Sequence, residues 1–227
     1  MNLHIVILAA GQGKRMYSKT PKVLHQLAGK PLLARIIETA QQLNPDAIHV
    51  IYGHGGEYIK DSLPNLPVHW VQQATQLGTG HAVRQALPYI PPDSLTLILS
   101  ADVPLIQAKT LQALIECCAA NSHQSALVLL VALLENPQGL GRIIRDTQAK
   151  VCSIVEEKDA NEQEKNIKEI YTGICCASYS DLVKWLPQLS NDNAQGEYYL
   201  TDIIRLAMAT RTRIVSLTTN DEMEILG

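Results

Sequence analysis

Ile5-Val-Ile-Leu-Ala-Ala-Gly-Gln-Gly-Lys-Arg-Met16, followed by Pro21-Lys22, is the stretch whose reading decides the fold. Its β-branched apolar run predicts a buried strand over His4–Leu8, and Ala9-Ala10-Gly11 turns that strand into a loop of small residues. Small side chains let backbone N–H groups come close to phosphates, and Arg15 and Lys22 deliver two cations to the same place. The loop has no third glycine of a dinucleotide fingerprint, and no GxxxxGK[ST] pattern. It reads as a strand end shaped for a triphosphate. Taken alone, the same residues also fit an ordinary tight turn.

Working outward, short apolar runs alternate with helical spacing. A helix is predicted from Pro31 to about Leu43, strands over Ala47–Tyr52 and Val68–Val71, and helices over Glu57–Leu63 and Thr79–Leu87. Leu95–Leu99 is a nearly unbroken apolar run, as a central parallel strand should be, and a helix over Lys109–Ala120 and a strand over Ala126–Leu133 follow it. Repeated strand–helix units predict a Rossmann-like, doubly wound mixed sheet of the α/β class with binding at the carboxyl ends of its strands. Past Gly139-Leu-Gly141 the rhythm changes to strands at Arg142–Ile144, Val151–Glu156 and Ile170–Ala177. These predict a small mixed-sheet excursion, over about residues 139–177, covering one side of the pocket. Helices at Tyr179–Leu186 and Tyr198–Ala209 and a strand at Arg213–Leu217 complete one domain, residues 1–227.

Composition narrows the class. Of 227 residues, 46% are hydrophobic and 18% charged, which a disordered chain could not match. The net charge of −3, with no long Lys/Arg run, gives no support for a nucleic-acid surface, so an anionic substrate must be met by local cations. No apolar run reaches the roughly 20 residues needed to span a bilayer, and Met1-Asn-Leu-His4 has no cationic leader. Cys117, Cys118, Cys152, Cys175 and Cys176 have no metal spacing and predict reduced thiols, hence a cytoplasmic protein without membrane partners.

Two further stations carry chemistry. Gln73, beyond the Val68–Val71 strand, offers both a donor and an acceptor to a pyrimidine edge, and Gly78-Thr79 would let backbone approach a flat base; a polar loop with Thr79 as helix cap is the plainer reading. Asp102 follows the Leu95–Leu99 strand, where a lone carboxylate suits Mg²⁺, an ion that keeps several waters and takes phosphate oxygens; an Asp opening the turn before Pro104 is the plainer reading.

Leu8-Ala-Ala-Gly11 with Arg15 and Pro21-Lys22 resembles the signature of sugar-nucleotide pyrophosphorylases. With Tyr52-Gly-His-Gly-Gly56, Gln73, Gln76-Leu-Gly-Thr-Gly-His-Ala82, Asp102-Val-Pro-Leu105, Gly139-Leu-Gly-Arg-Ile143, Ile154-Val-Glu-Glu-Lys-Asp159, Thr172-Gly173 and Gln195-Gly-Glu-Tyr-Tyr-Leu-Thr-Asp202, the ordered set narrows. It is similar to the uridylyltransferase domain of the bacterial bifunctional N-acetylglucosamine-1-phosphate uridylyltransferase/glucosamine-1-phosphate acetyltransferases, over essentially the whole chain. The resemblance implies a nucleotidyltransferase that joins UTP to N-acetylglucosamine 1-phosphate with Mg²⁺, giving UDP-N-acetylglucosamine for peptidoglycan and lipopolysaccharide. It implies phosphate contacts at Leu8, Ala9, Ala10, Gly11, Arg15 and Lys22, with Arg15 and Lys22 catalytic. Uracil would meet Gln73, Gly78 and Thr79; Asp102, after Ser100 and Ala101, would hold the metal; and Gly141, Glu156 and Tyr171 would line the sugar pocket. Gly141 would leave room for the N-acetyl group, and Tyr198-Tyr199 would open a helix beside that pocket.

Three departures stand against this likeness. Ser100-Ala101-Asp102 replaces the family's Tyr-Gly-Asp, which puts a methyl where backbone should approach the sugar. Tyr171-Thr-Gly173 replaces Asn-Thr-Gly, and the chain stops at Gly227, about where a second metal ligand, an Asn, is expected. The β-helical acetyltransferase domain does not follow; a monomer or weak homo-oligomer is expected for this chain, and a trimer if that domain follows in a full protein. Two alternatives stay beside the active enzyme: a sugar-nucleotide-binding remnant with weak or no turnover, or an enzyme for another sugar 1-phosphate.

Overall fold

The computed structural model describes residues 2–11, 18, 20–53, 56–120 and 126–226. Strand β1 (Asn2–Leu8) leads through a 3-10 turn, Lys22–Leu24, and a two-stranded ribbon, β2 (Gln26–Leu27) and β3 (Lys30–Pro31), into helix α1 (Leu32–Gln41). Then come β4 (Ala47–Tyr52), α2 (Glu57–Ser62), β5 (His69–Gln72), α3 (Thr79–Ala86), β6 (Ser94–Ser100), α4 (Ala108–Ala120) and β7 (Ala126–Leu133). The second half holds β8 (Gly141–Arg145), β9 (Val151–Val155), α5 (Glu162–Lys165), β10 (Glu169–Ser178), α6 (Tyr179–Trp185), α7 (Ile203–Ala209) and β11 (Arg213–Thr219).

The main sheet runs β11-β7-β10-β6-β1-β4-β5. β10 is antiparallel to both β6 and β7, whereas β1 is parallel to β4 and β6, β4 to β5, and β11 to β7. Six strands of this path therefore point their carboxyl ends at one edge, and β10 starts there. The alternation along β1 sorts the core into two layers. Leu3, Ile5 and Ile7 pack with Leu33, Ile36 and Ile37 of α1 and Leu111 and Leu114 of α4, while Val6 faces Val83 of α3, Leu182 of α6 and Ile203 of α7. Strands buried on both faces favour apolar residues, which is why Ile5–Leu8 of β1 and Leu97–Leu99 of β6 read as continuous hydrophobic runs, with His4 and Thr96 the buried polar positions beside them. The predicted doubly wound sheet is what forms.

Four local expectations need correction. β6 is parallel to β1 but antiparallel to β10, so it is not flanked by parallel partners on both sides. The excursion is not a mixed sheet: β8 pairs antiparallel with β9 and with β10, which joins it to the main sheet. The helix expected from Tyr198 begins later, as a 3-10 turn at Leu200–Asp202 running into α7. Tyr198 instead donates its N–H to the Leu77 carbonyl at 2.8 Å and accepts from Gly80 N–H at 2.8 Å, so both its backbone groups serve a cross-chain pairing. Helix α5 was not anticipated, although Asn161 and Glu164 form a reciprocal capping box whose spacing is visible in the sequence.

At the opposite, amino-terminal end of β1, β4 and β5 three histidines stack. His4 Nδ1 lies 3.0 Å from His49 Nε2, and the His49 and His69 ring centroids are 5.4 Å apart. Burial first, then His4 and His69, push the His49 imidazole down to about 4. Its value in the unfolded chain, 6.5, is higher, so the unfolded state takes up the proton first and stability falls as pH drops from about 6.5 to about 4. That shift corresponds to roughly 3 kcal/mol. Urea denaturation across this range should give a slope that His49→Leu makes distinctly shallower.

Candidate active site

The carboxyl edge of the sheet gathers four loops. After β1, Ala9 donates its N–H to the Ile51 carbonyl at 2.9 Å, and the Ala10 carbonyl accepts from the Gln76 side chain. Gly11 is exposed beyond them. Arg15, the second glycine Gly13, and His54-Gly55 of the turn after β4 lie outside the described residues. Lys22 opens the 3-10 turn behind Pro21, which has no N–H to leave unpaired at that position.

Lys22 and Asp102, eighty residues apart, meet here: Lys22 Nζ stands 3.1 Å from Asp102 Oδ2. Asp102 is carried by the turn that leaves β6, where Ala101 N–H donates to the Leu8 carbonyl at 3.0 Å and binds that turn to the first loop. The Ser100 hydroxyl donates to Asp102 Oδ1. Burial pushes the Asp102 carboxyl up, but the Ser100 hydrogen bond and the Lys22 ammonium outweigh it and hold the group below the usual carboxylate range. The result favours the ionised carboxylate, whose side chain remains 46% exposed.

A magnesium ion fits this donor chemistry. Asp102 is a hard oxygen donor open to solvent, and one carboxylate is enough for an ion that keeps waters and borrows phosphate oxygens. Among the described residues no group of three His, Cys, Asp or Glu side chains is arranged to hold a metal without such help. The exposed methyl feared at Ala101 does not exist: Ala101 is 1% exposed and packs into the core layer of α1 and α4.

On a second loop, Gln73 leaves β5 buried, its N–H donating to the Tyr52 carbonyl at 2.8 Å. Its Nε2 donates to the Gly78 carbonyl at 3.0 Å and lies 2.9 Å from His81 Nδ1. Gly78 is required by the protein's own packing. It has φ +106°, and a Cβ there would stand 2.7 Å from the Tyr198 carbonyl oxygen, so the missing side chain lets the Tyr198 backbone come close. Thr79 is not the helix cap; Gly78 holds that position, and the Thr79 hydroxyl accepts from Leu200 N–H at 2.9 Å.

The third and fourth loops come from β8, β9 and β10. Glu156 Oε1 accepts from the Thr201 hydroxyl at 3.0 Å. Burial, with Asp159, Asp202 and Glu197 nearby, raises its carboxyl despite that bond. A Cβ on Gly141 would meet Ile154 Cγ2 at 3.0 Å and Glu156 Oε2 at 3.5 Å, so the missing side chain makes room for those groups. Tyr171 is buried at 8% exposure, its hydroxyl kept protonated by burial first and the Cys175 thiol second. The phenol belongs to the core layer that also holds Ile143 and Ile154, and Glu156 lies within electrostatic reach of it.

Sequence reasoning missed the residues that hold this side in place. Buried Arg142 donates to Glu157 Oε2 at 2.7 Å, to the Lys165 carbonyl at 3.3 Å and to the Leu140 carbonyl, while Gly139 N–H donates to the same Glu157 oxygen at 3.0 Å. Thus one clamp fixes the loops bearing both Gly141 and Glu156. Glu157→Ala would leave the Arg142 charge buried without its partner and should lower the unfolding free energy by ~3 kcal/mol, at the low end for such pairs because Glu157 is partly open. Chemical denaturation measures this; Glu157→Gln, which keeps an acceptor, should lose less. Thr201 was also missed as an individual, whereas Tyr199, expected beside the sugar pocket, donates to Asp159 at 3.1 Å.

A mixed sheet of this order, with a cation–carboxylate pair at the strand ends, defines an α/β fold of the nucleotidyltransferase class. Over 96% of this chain it matches UDP-glucose pyrophosphorylase solved with UDP-glucose (TM-score 0.79, 16% identity, 90% of that chain) and the apo form of UDP-glucose pyrophosphorylase (TM-score 0.74, 16% identity, 90% of that chain). Residues 5–151 match the MobA-like NTP transferase domain, and the chain belongs to that family. It is 72% identical over 228 aligned residues to the "Bifunctional protein GlmU" of Legionella pneumophila (strain Lens), covering all of this chain and 50% of that protein. The protein of the same name from Coxiella burnetii is 54% identical over 209 residues, 92% of this chain and 45% of its own length. The chain thus spans about half the length of the curated relatives it matches. No helix among the described residues is long and apolar enough to cross a membrane.

Proposed function

We propose that this chain transfers a uridylyl group from UTP to N-acetylglucosamine 1-phosphate in the cytoplasm, yielding UDP-N-acetylglucosamine and pyrophosphate. The observation that carries the reading is the Lys22–Asp102 pair, which joins the 3-10 turn after the first loop to the turn that leaves the carboxyl end of β6. Likeness to the GlmU proteins supports the choice of sugar and base.

A sugar phosphate oxygen attacks the α-phosphorus of UTP, the bond to the β-phosphate oxygen breaks, and pyrophosphate leaves with the electron pair. The nucleophile is already an anion, so no general base is needed, and the protein contributes position and charge. Lys22 turns its ammonium from Asp102 to the α-phosphate, and Arg15 is assigned the β- and γ-phosphates. Leu8, Ala9, Ala10 and Gly11 supply backbone to the nucleotide. Asp102, oriented by Ser100, would hold a Mg²⁺ ion, which supplies positive charge to the phosphates when bound. Gln73, Gly78 and Thr79 form the uracil side, and Glu156 accepts from sugar hydroxyls across Gly141.

The remnant reading loses its main support because the Ala101 methyl lies in the core and obstructs nothing. Tyr171 is likewise buried, so its phenol stands as a packed wall of the sugar side and not as an open obstruction. Pyrophosphate release with Mg²⁺, UTP and a panel of sugar 1-phosphates tests the proposal. Release with N-acetylglucosamine 1-phosphate is expected. Release only with another sugar would change the substrate, and UTP binding without any release would restore the remnant.

A further inference from the structure

Gln73 has both hydrogens of its carboxamide committed inside the protein. One goes to the Gly78 carbonyl, which can only accept, and this fixes which end of the amide is nitrogen. The same nitrogen faces His81 Nδ1 at 2.9 Å, while Gln85 Nε2, which donates to the His81 carbonyl at 3.1 Å, lies 3.2 Å from His81 Nε2; a neutral ring has one lone pair for these two amide nitrogens, and the shorter contact assigns it to Nδ1. Burial first, and Arg84 second, keep the His81 ring below the usual histidine range, which favours that neutral form. Gln73 Oε1 makes no hydrogen bond among the described residues and is not one of the fully buried orphan atoms. It is the polar atom left for a ligand.

We propose that His81 is a positioning residue that sets base specificity: by accepting from Gln73 Nε2 it presents Oε1, an acceptor only, to the base. This rests on the uracil reading of the Gln73 loop. Uracil carries a hydrogen on N3 and pairs with Oε1, whereas cytosine carries a lone pair at N3 and would meet it oxygen-first. To serve cytosine the carboxamide must turn over, which aims Oε1 at the Gly78 carbonyl oxygen and at His81 Nδ1 together. Discrimination then comes from the repulsive arrangement as much as from the attractive one. His81 is held in register for this by its own helix, since Gly80 N–H donates to the Tyr198 carbonyl at 2.8 Å and the Tyr198 ring lies 6.5 Å away.

The test compares kcat/KM for UTP, CTP and dUTP in pyrophosphate release with Mg²⁺ and N-acetylglucosamine 1-phosphate. His81→Leu removes the acceptor and should lower the UTP-to-CTP ratio about tenfold, through a higher KM for UTP with kcat within about twofold, as loss of one hydrogen-bond constraint predicts. His81→Asn, whose Oδ1 replaces Nδ1, should hold the ratio within about threefold. The UTP-to-dUTP ratio should not move in either, because the base is the same. His81→Ala, which introduces no clash, is measured beside His81→Leu and stands in for it if the leucine does not fold. An unchanged UTP-to-CTP ratio in the folded Leu or Ala variant, or equal losses in Asn and Leu, would overturn the proposal and leave His81 as packing. Failure of the underlying reading looks different: the unsubstituted protein would not prefer UTP over CTP, or Gln73→Leu would leave the preference intact.

Discussion

Asp102→Asn is expected to lower kcat/KM for nucleotidyl transfer by about a thousandfold, the upper end for losing one preorganised electrostatic partner. The substitution keeps the shape and leaves an oxygen to accept from the Ser100 hydroxyl, so the β6 turn and its Ala101-to-Leu8 bond should survive. What disappears is the charge that Ser100 and Lys22 together keep ionised against burial. Two readouts separate this from misfolding: an unchanged denaturation midpoint, and a half-saturating Mg²⁺ concentration raised well above that of the unsubstituted protein. Normal turnover at ordinary Mg²⁺ would remove Asp102 from the site.

Lys22→Ala should cost about 10²- to 10³-fold in kcat/KM, since an ammonium aimed at the reacting phosphate acts where charge builds up. Its effect on the metal has the opposite sign. Lys22 Nζ occupies one side of Asp102 Oδ2 at 3.1 Å, so a cation approaching that oxygen competes with it. Without Lys22 the half-saturating Mg²⁺ concentration should stay level or fall while the rate collapses. Titrating Mg²⁺ in pyrophosphate release for both variants reads this crossing. Near-normal turnover in Lys22→Ala would sink its assigned role, and a metal requirement raised as in Asp102→Asn would mean that Lys22 supports the carboxylate without touching phosphate. At 46% exposure of Asp102 the pair itself adds little to stability, and neither variant should unfold the protein.

Much of the architecture could be read from local pattern. β4 and β7 begin and end where the apolar runs do, because a strand buried on both faces is mostly apolar and polar residues mark its ends, His49 of β4 being a buried polar residue within the run. α1 follows Pro31 as expected, its buried Leu33, Ile36, Ile37 and Ala40 recurring on one side. The failures share one cause. Tyr198 carries helical spacing, yet both its backbone groups are taken by Leu77 and Gly80, about 120 residues earlier, and a non-local pairing leaves no trace in a local pattern. The same holds for β8 and β9, whose strands were visible but whose attachment to β10 was not.

For the site, the sequence by itself determined which chemistry is present: small residues after β1, a lysine behind a proline, a glutamine past β5 and an aspartate past β6. Strand order does that work, because parallel strands deliver their carboxyl-end loops to one edge whatever lies between them. Only the tertiary structure decided what those residues meet. It paired Lys22 with Asp102, spent the Gln73 nitrogen on Gly78 and His81, filled the space beside Gly141 with Ile154 and Glu156, and withdrew Ala101 and Tyr171 into the core. Each outcome depends on side-chain direction across strands distant in sequence. Residue type and spacing fix which groups are available, whereas packing fixes which of their atoms remain free.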